Sequence, residues 1–468
     1  MDDASSTRIL GTAEELGTHP ERPPAQSPVL AVLGRAIADR SAVVGVIGQG
    51  YVGLPLALVF VEAGYRVMGF DVDAAKISAL ERGESYIRHV GPERVAAARA
   101  ASDSGARFLV TTDFSLLSGC DCILICVPTP LGRHREPDLS YVRSTVATIA
   151  RSLRPGQLVV LESTTYPGTT EEEVQPILES TGLACPGDFL LAFSPEREDP
   201  GNTEYSTRTI PKIVGGVNPE STAAAVALYA GAVETVVPVS SSRVAESAKL
   251  LENIYRSVNI ALVNELKMTF DRMGVDVWEV IAAAKTKPFG YQAFYPGPGL
   301  GGHCIPLDPF YLTWKAAEYG VWTRFIELAG EINTRMPSWV VDKVQEALSD
   351  EGRSLKGARV LVLGLSYKPD LDDDRESPSY EILELLRRRG AEIAYCDPYF
   401  PRAPETRRHD LDLVSVPLTA QEFACHDCVV LSTAHREFAE PGLWAGVRLV
   451  VDARNVVLPD WGPRIVKA

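Results

Sequence analysis

The stretch Val43-Val44-Gly45-Val46-Ile47-Gly48-Gln49-Gly50-Tyr51-Val52-Gly53 decides the fold. A short β-branched run opens directly into three glycines, and residues 54–63 continue in a helical apolar pattern that Gly64 ends. Gly48 permits the tight turn, Gly50 lets the backbone approach a pyrophosphate, and Gly53 lets helix and strand pack closely; Tyr51 and Val52 complete the same turn. A second apolar run, residues 65–70, ends at Asp71, about twenty residues beyond the glycines, where a carboxylate receives the adenosine ribose hydroxyls and repels a 2′-phosphate. The expectation is an α/β fold with a Rossmann-like parallel sheet that binds NAD in preference to NADP.

Further strands of the same kind follow. Cys122-Ile123-Leu124-Ile125-Cys126-Val127 stops at Pro128-Thr129-Pro130, which puts Thr129 at the carboxyl edge where such sheets bind ligands. Cys120, Cys122 and Cys126 alternate within an apolar strand without nearby histidines, the pattern of core cysteines, so no metal is assigned. Leu158-Val159-Val160-Leu161 runs into Glu162-Ser163-Thr164-Thr165, hydroxyls that either satisfy the turn or face a ligand, and Thr170 with Glu173 reads as a capping box. Phe189-Leu190-Leu191-Ala192-Phe193 ends in Ser194-Pro195-Glu196-Arg197-Glu198-Asp199. Glu196 adjoins the strand end, whereas Glu198 and Asp199 have the character of a solvated turn.

Residues 243–273 form one long proline-free helical pattern, roughly 45 Å at 1.5 Å per residue. Lys249, Asn253, Arg256 or Ser257, Ile260 and Asn264 recur along it at helical spacing, a strip that marks either a site or a face turned to water. Downstream, Pro296-Gly297-Pro298-Gly299-Leu300-Gly301-Gly302-His303-Cys304-Ile305-Pro306-Leu307-Asp308-Pro309 reads as a rigid open loop around one cysteine. A lone cysteine is ordinarily an unreactive core residue; the flanking glycines and Asp308 make Cys304 a candidate nucleophile. Residues 359–363 open a second α/β unit at Gly364, and His426-Asp427-Cys428-Val429-Val430-Leu431 echoes Cys120-Asp121-Cys122-Ile123-Leu124-Ile125, implying two sheets of related plan. Cys425 and Cys428 have the spacing of half a zinc site without a second pair, and are read as a strand entrance. Arg375, embedded in Asp372-Asp373-Asp374-Arg375-Glu376, is either a surface ion pair or a bidentate ligand for an anion.

With 468 residues the chain exceeds one ordinary core. The divisions expected are an extension over 1–40, a dinucleotide-binding domain over 41–239, a central helical domain over 240–340 and a second Rossmann-like domain over 341–468. A net charge of −15 argues against nucleic acid as a partner, and no apolar run approaches the ~20 residues of a membrane span. Eight cysteines in so long a chain do not make a disulfide framework, which favours a reducing cytoplasm.

Taken together, these motifs resemble the UDP-glucose/GDP-mannose dehydrogenase family from about residue 43 to the C-terminal domain. The resemblance rests on Gly48 to Gly53 with Asp71, Glu162-Ser163-Thr164-Thr165, Ser194-Pro195-Glu196, the Lys249/Asn253 helix, Gly301-Gly302-His303-Cys304 with Asp308, and Asp374-Arg375-Glu376-Ser377. It implies two Rossmann-like domains joined by a long helix that also makes a homodimer interface. The implied activity is a four-electron oxidation of the 6-hydroxymethyl of a nucleotide sugar to a carboxylate, using two NAD⁺. The resemblance makes Cys304 the thiol that carries the aldehyde as a thiohemiacetal and then a thioester. It gives Lys249 and Asp308 proton and oxyanion charge, Asn253 and Thr165 the positioning of a water or oxygen, and Glu196 a part in thioester hydrolysis. Lys76, Thr129 and Lys368 join the glycine turn as cofactor contacts; Gly301 and Arg375 belong to the UDP-sugar site. Leu307 stands where the UDP-glucose enzymes carry a lysine, His303 replaces a small residue, and Arg197-Glu198 replaces an apolar pair. These departures assign Arg197, Glu198 and His303 to the sugar and resemble the branch acting on UDP-N-acetylhexosamines. UDP-N-acetylglucosamine is the leading substrate, with UDP-glucose and UDP-N-acetylmannosamine as alternatives. Outside this chemistry stand a non-catalytic nucleotide-sugar binding protein, which has no need of an intact Cys304, Lys249 and Asp308, and a hydroxyacid dehydrogenase, which has no need of the cysteine loop.

Overall fold

Apolar runs bounded by glycine become strands and the periodic segments between them become helices, in a computed structural model that describes residues 28–87, 90–100, 108–132, 135–198, 204–302, 304–406 and 408–468. The elements in chain order begin with α1 (Pro28–Ala38), β1 (Val43–Ile47), α2 (Gly53–Glu62), β2 (Arg66–Phe70), α3 (Ala74–Glu81), α4 (Pro92–Ala100), β3 (Phe108–Thr111) and β4 (Cys122–Ile125). They continue through α5 (Ser140–Ala150), β5 (Leu158–Leu161), α6 (Gln175–Glu179), β6 (Leu190–Phe193), β7 (Lys212–Gly216), α7 (Pro219–Ala230), β8 (Val236–Pro238) and the long helix α8 (Ser242–Arg272). Beyond it lie α9 (Val277–Ala284), α10 (Cys304–Glu318), α11 (Arg324–Asp350), β9 (Arg359–Leu363), α12 (Pro378–Arg388), β10 (Glu392–Cys396), α13 (Ala420–Ala424), β11 (Cys428–Leu431), β12 (Leu449–Asp452) and β13 (Arg464–Lys467). The chain divides into two compact units, Met1–Leu250 and Leu251–Ala468, the division falling inside α8.

The first unit holds an eight-stranded sheet in the order β3-β2-β1-β4-β5-β6-β7-β8. Strands β3 to β6 are parallel neighbours, and β4, β5 and β6 are buried along their whole length, the mark of a sheet covered on both faces. The order reverses between β1 and β4, which makes the carboxyl edge there a ligand crevice. β7 runs antiparallel to β6, so its first residue, Lys212, starts at the carboxyl edge where β5 and β6 end. Residues 28–38 correct the expected extension: they form α1, whose Leu33 and Ile37, one turn apart, are buried in the core of this unit. Residues 1–27 lie outside the described residues.

The second unit repeats the plan in a parallel five-stranded sheet, β10-β9-β11-β12-β13. The predicted echo has a physical basis. Asp121 accepts the backbone N–H of Val43 at the foot of β1, and Asp427 accepts that of Arg359 at the foot of β9, each at 2.9 and 2.8 Å respectively. At the other end, Asp71 accepts from Gln49 N and Asp397 accepts from Leu365 N, in each case just past a positive-φ glycine, Gly48 or Gly364. Among the described residues, no helix is long and apolar enough to cross a membrane.

The capping box expected at Thr170 and Glu173 does not form. Residues 170–174 take a single π-helical turn, Glu173 pairs with Arg143, and the donors at the turn are satisfied from 76 residues away by Glu246 on α8. Glu246 accepts from Gly168 N at 2.6 Å, Thr170 N at 2.9 Å and Thr170 Oγ1 at 2.7 Å, and is itself buried. Burial pushes its carboxyl up to about 7 against the pull of these donors. We expect Glu246→Ala to cost about 3 kcal/mol, since three buried donors lose their acceptor. Because the folded carboxyl titrates above its unfolded value, its proton-linked contribution is complete below about pH 4.5 and is lost as pH rises through 7. Urea unfolding at pH 5 and 7 checks this: the wild type should lose stability between them by an increment that Glu246→Gln lacks, and equal slopes would refute it.

Candidate active site

The predicted site residues fall into two sets, one in each unit. In the first, the turn after β1 has the shape the glycine spacing requires. Gly48 stands at φ 91°, where a Cβ would overlap the carbonyl of Cys126, and one at Gly53 would overlap the carbonyl of Gly48. A Cβ at Gly50 would meet nothing within 4 Å, so the backbone at the head of α2 is open to a ligand. Tyr51 and Val52 complete the turn, Val52 as the residue that precedes α2. Asp71, 7% exposed at the end of β2, is held by the N–H of Gln49 at 2.8 Å and of Asp73 at 2.9 Å, with Lys76 Nζ at 3.4 Å. This open glycine cradle with a fixed carboxylate beside it fits NAD.

Thr129 is buried just beyond β4. The three hydroxyls after β5 divide the roles left open by the sequence: Ser163 Oγ donates to the carbonyl of Val127 at 2.7 Å and serves the turn. Thr165 is fully buried with an Oγ1 that has no hydrogen-bond partner among the described residues, the condition of a group awaiting a ligand or water. Glu196 follows β6. Its Oε1 accepts the N–H groups of Arg197 and Glu198, both at 2.7 Å, and its carbonyl accepts from Lys249 Nζ at 2.5 Å. Glu198 is not the solvated residue its setting suggested: burial, reinforced by the neighbouring Glu196 charge, raises its carboxyl to about 7. Arg197 Nη1 donates to the carbonyl of Pro211 at 2.7 Å. Asp199 lies outside the described residues.

In the second unit the expected loop around Cys304 is shorter than its composition implied. Cys304 is the first residue of α10, which passes through Pro306 and Pro309. Pro306 falls in the first turn, where a missing N–H costs nothing, and the helix absorbs Pro309. His303 lies outside the described residues. Asp308, one turn after Cys304, is fully buried and accepts from Asn253 Nδ2 at 2.6 Å. Leu307 beside it is buried.

The polar strip of α8 faces inward: Lys249, Asn253, Ser257 and Asn264 are all buried, which disposes of the water-facing alternative. Asn264 also explains how the glycine-rich segment is held, accepting from Gly297 N at 3.0 Å while donating to Asn333 Oδ1 at 2.9 Å; Asn333 in turn donates to the carbonyl of Ser257. Gly302 N donates to the carbonyl of Arg375 at 2.8 Å, and a Cβ at Gly301 would strike Tyr367. The segment before Cys304 thus lies directly on the 366–377 loop that carries Lys368 and Arg375. Arg375 takes the ion-pair form of the two expected of it, with a buried carboxylate as its partner. Its guanidinium forks onto the buried Asp373, with Nε at 2.8 Å from Oδ1 and Nη2 at 2.6 Å from Oδ2, yet its side chain stays 42% exposed.

Sequence reasoning missed Lys212, Glu246 and Asn333. Lys212 and Asn333 carried no motif signal of their own; each gains its meaning from partners brought in by the fold.

A nucleotide-binding Rossmann sheet, followed in sequence by a helix headed by cysteine and a buried Asn–Asp pair, defines an NAD-dependent oxidoreductase. The UDP-glucose/GDP-mannose dehydrogenase family models match through the NAD binding domain at 42–233, the central domain at 243–335 and the UDP binding domain at 361–459. Protein CapL of Staphylococcus aureus is 36% identical over 399 residues, 85% of this chain and 91% of CapL. The UDP-N-acetyl-D-glucosamine 6-dehydrogenase of Pseudomonas aeruginosa is 35% identical over 401 residues, 85% of this chain and 92% of that enzyme. The structure of UDP-D-ManNAc dehydrogenase from Pyrococcus horikoshii superposes with a TM-score of 0.81 at 32% identity, covering 91% of this chain and 99% of the other. The chain belongs to the UDP-glucose/GDP-mannose dehydrogenase family, and it is an NAD-dependent UDP-sugar dehydrogenase.

Proposed function

We propose that this enzyme is a UDP-N-acetylglucosamine 6-dehydrogenase that converts the 6-hydroxymethyl of its substrate to the carboxylate. The observation that carries the chemistry is Asp308, buried against Asn253 one helical turn after Cys304 at the head of α10. NAD, which the Gly48–Gly53 turn and Asp71 would hold, would supply the hydride acceptor for each of the two oxidations. The Cys304 thiolate adds to the aldehyde carbon so that the aldehyde is never free. Loss of the second hydride equivalent leaves a thioester, which water cleaves to the acid and the thiol. Lys249 and Asp308 hold the charge that develops on the sugar oxygen, Asn253 and Thr165 orient that oxygen or the water, and Glu196 serves the hydrolysis. Thr129, Lys76 and Lys368 take the cofactor; Gly301 and Arg375, steadied by Asp373, take the diphosphate side of the substrate.

The 2-acetamido preference is supported by Arg197 and Glu198, which offer a donor and an acceptor where the UDP-glucose enzymes are apolar, and by His303 and Leu307. A buried amide without partners costs roughly 1–3 kcal/mol. UDP-glucose would leave those partners unmatched. The reading also divides the chain at 41–239, 240–340 and 341–468 and makes a homodimer through α8, whose Leu251, Tyr255 and Leu262 are exposed. Cytoplasmic residence is supported by seven cysteines that are free thiols, four of them in the buried strands and strand ends of the two sheets: Cys120, Cys122, Cys396 and Cys428. The test is NADH formation from UDP-N-acetylglucosamine, UDP-N-acetylmannosamine and UDP-glucose, with the same preparation sized by light scattering. We expect kcat/KM to favour UDP-N-acetylglucosamine over UDP-glucose by at least about tenfold, with NAD⁺ over NADP⁺, and a dimer mass. A higher value for UDP-glucose or UDP-N-acetylmannosamine overturns the sugar, and a monomer overturns the assembly.

A further inference from the structure

Where β5, β6 and the antiparallel β7 meet at the carboxyl edge of the first sheet, one ammonium is clamped between two carboxylates. Lys212 Nζ lies 2.6 Å from Glu162 Oε2 and 3.1 Å from Glu196 Oε2. Glu162 is 1% exposed, Lys212 3% and Glu196 9%. The Tyr229 hydroxyl on α7 donates to the other oxygen of Glu162, and its ring centroid lies 5.5 Å from Lys212 Nζ. Among the described residues, Cys126, past β4, whose thiol is raised by burial and by Glu162, Glu198, and Lys249 at the Glu196 carbonyl also act on this cluster. Three formal charges sum to −1, so the buried cluster does not neutralise itself. Desolvation offsets much of the attraction in a buried ion cluster, so its stabilising effect is small.

What it orients is Glu196. Lys212 engages Oε2 and two backbone N–H groups engage Oε1, so the carboxylate is held at both oxygens. The carbonyl of the same residue accepts from Lys249 Nζ at 2.5 Å. We propose that Lys212 is a positioning residue for the reaction: through Glu196 it sets the direction of that carboxylate and the seat of the Lys249 ammonium. The proposal rests on the roles given above to Glu196 and Lys249. Burial alone would raise the Glu196 carboxyl; the Lys212 ammonium and the N–H groups outweigh it and keep the group below the ordinary carboxylate range. Without Lys212 only the two N–H groups oppose burial, and Glu196 takes up a proton at higher pH.

The structural alternative is that Lys212 serves only to neutralise Glu162. The double variant Lys212→Met/Glu162→Gln separates the two, because it restores the net charge of −1 and so spares the fold while leaving Glu196 without its ammonium. We expect kcat about 100-fold below wild type with KM for both substrates within about threefold, and an acidic limb of the kcat–pH profile moved up by at least about one pH unit. Lys212→Arg, which can reach both carboxylates, should recover most of kcat. Titration of the Glu196 carboxyl by carbon-edited NMR in the folded protein reads the same shift without turnover, so it stands whether or not the proposed reaction does. A double variant with wild-type kcat, or an unmoved Glu196 titration, overturns the inference. A wild type that prefers another UDP-sugar, with the kcat loss and the Glu196 shift both present, would instead count against the proposed sugar alone.

Discussion

Replacing Cys304 by serine is expected to lower kcat for the complete oxidation by about 10³-fold or more while leaving NAD and UDP-sugar binding intact. Serine keeps nearly the size of cysteine, but the far higher pKa of its hydroxyl leaves almost no anion to add to the aldehyde. Without that adduct the aldehyde is not retained, and the second oxidation has no thioester to pass through. Mass spectrometry of Cys304→Ser with substrate should show either released aldehyde or a stalled ester on the serine. Undiminished formation of the acid would show that Cys304 does not carry the intermediate.

The second large effect is expected at Asp308. Asp308→Asn keeps the volume but sets a side-chain amide against the Asn253 Nδ2 that now donates to the carboxylate at 2.6 Å. We expect kcat to fall about 10²- to 10³-fold, KM to change little, and stability to drop by about 1–3 kcal/mol from the mispaired buried amide. The exchange Asn253→Asp/Asp308→Asn gives the hydrogen bond back with its direction reversed. It should recover the stability and leave kcat low, since the charge then stands on the wrong helix. Recovery of kcat by the exchange would reduce the pair to a structural contact.

How much of this was legible depends on how local each signal is. The turn from β1 through Gly48 to Asp71 is written in consecutive residues, and its strand, helix and carboxylate lie where spacing places them. The long helix was equally legible, since residues 243–273 hold one uninterrupted period, and α8 spans Ser242–Arg272. The start of α10 was not, because Pro306 and Pro309 signal a loop unless the first-turn tolerance of proline is applied to this register. The cap at Thr170 misled for a different reason: Glu173 has the right offset, but Glu246 supplies a better acceptor that only tertiary structure delivers. Lys212 is the extreme case. In sequence it is one cation at the start of an apolar strand, and only the antiparallel run of β7 beside β6 carries it to Glu162 and Glu196.

The count of NADH formed per carboxylate tests the central claim most directly. With limiting UDP-N-acetylglucosamine and excess NAD⁺, the thioester route requires two NADH for every uronic acid, with no aldehyde captured by an added trapping amine. One NADH per sugar, with the aldehyde as product, would contradict it.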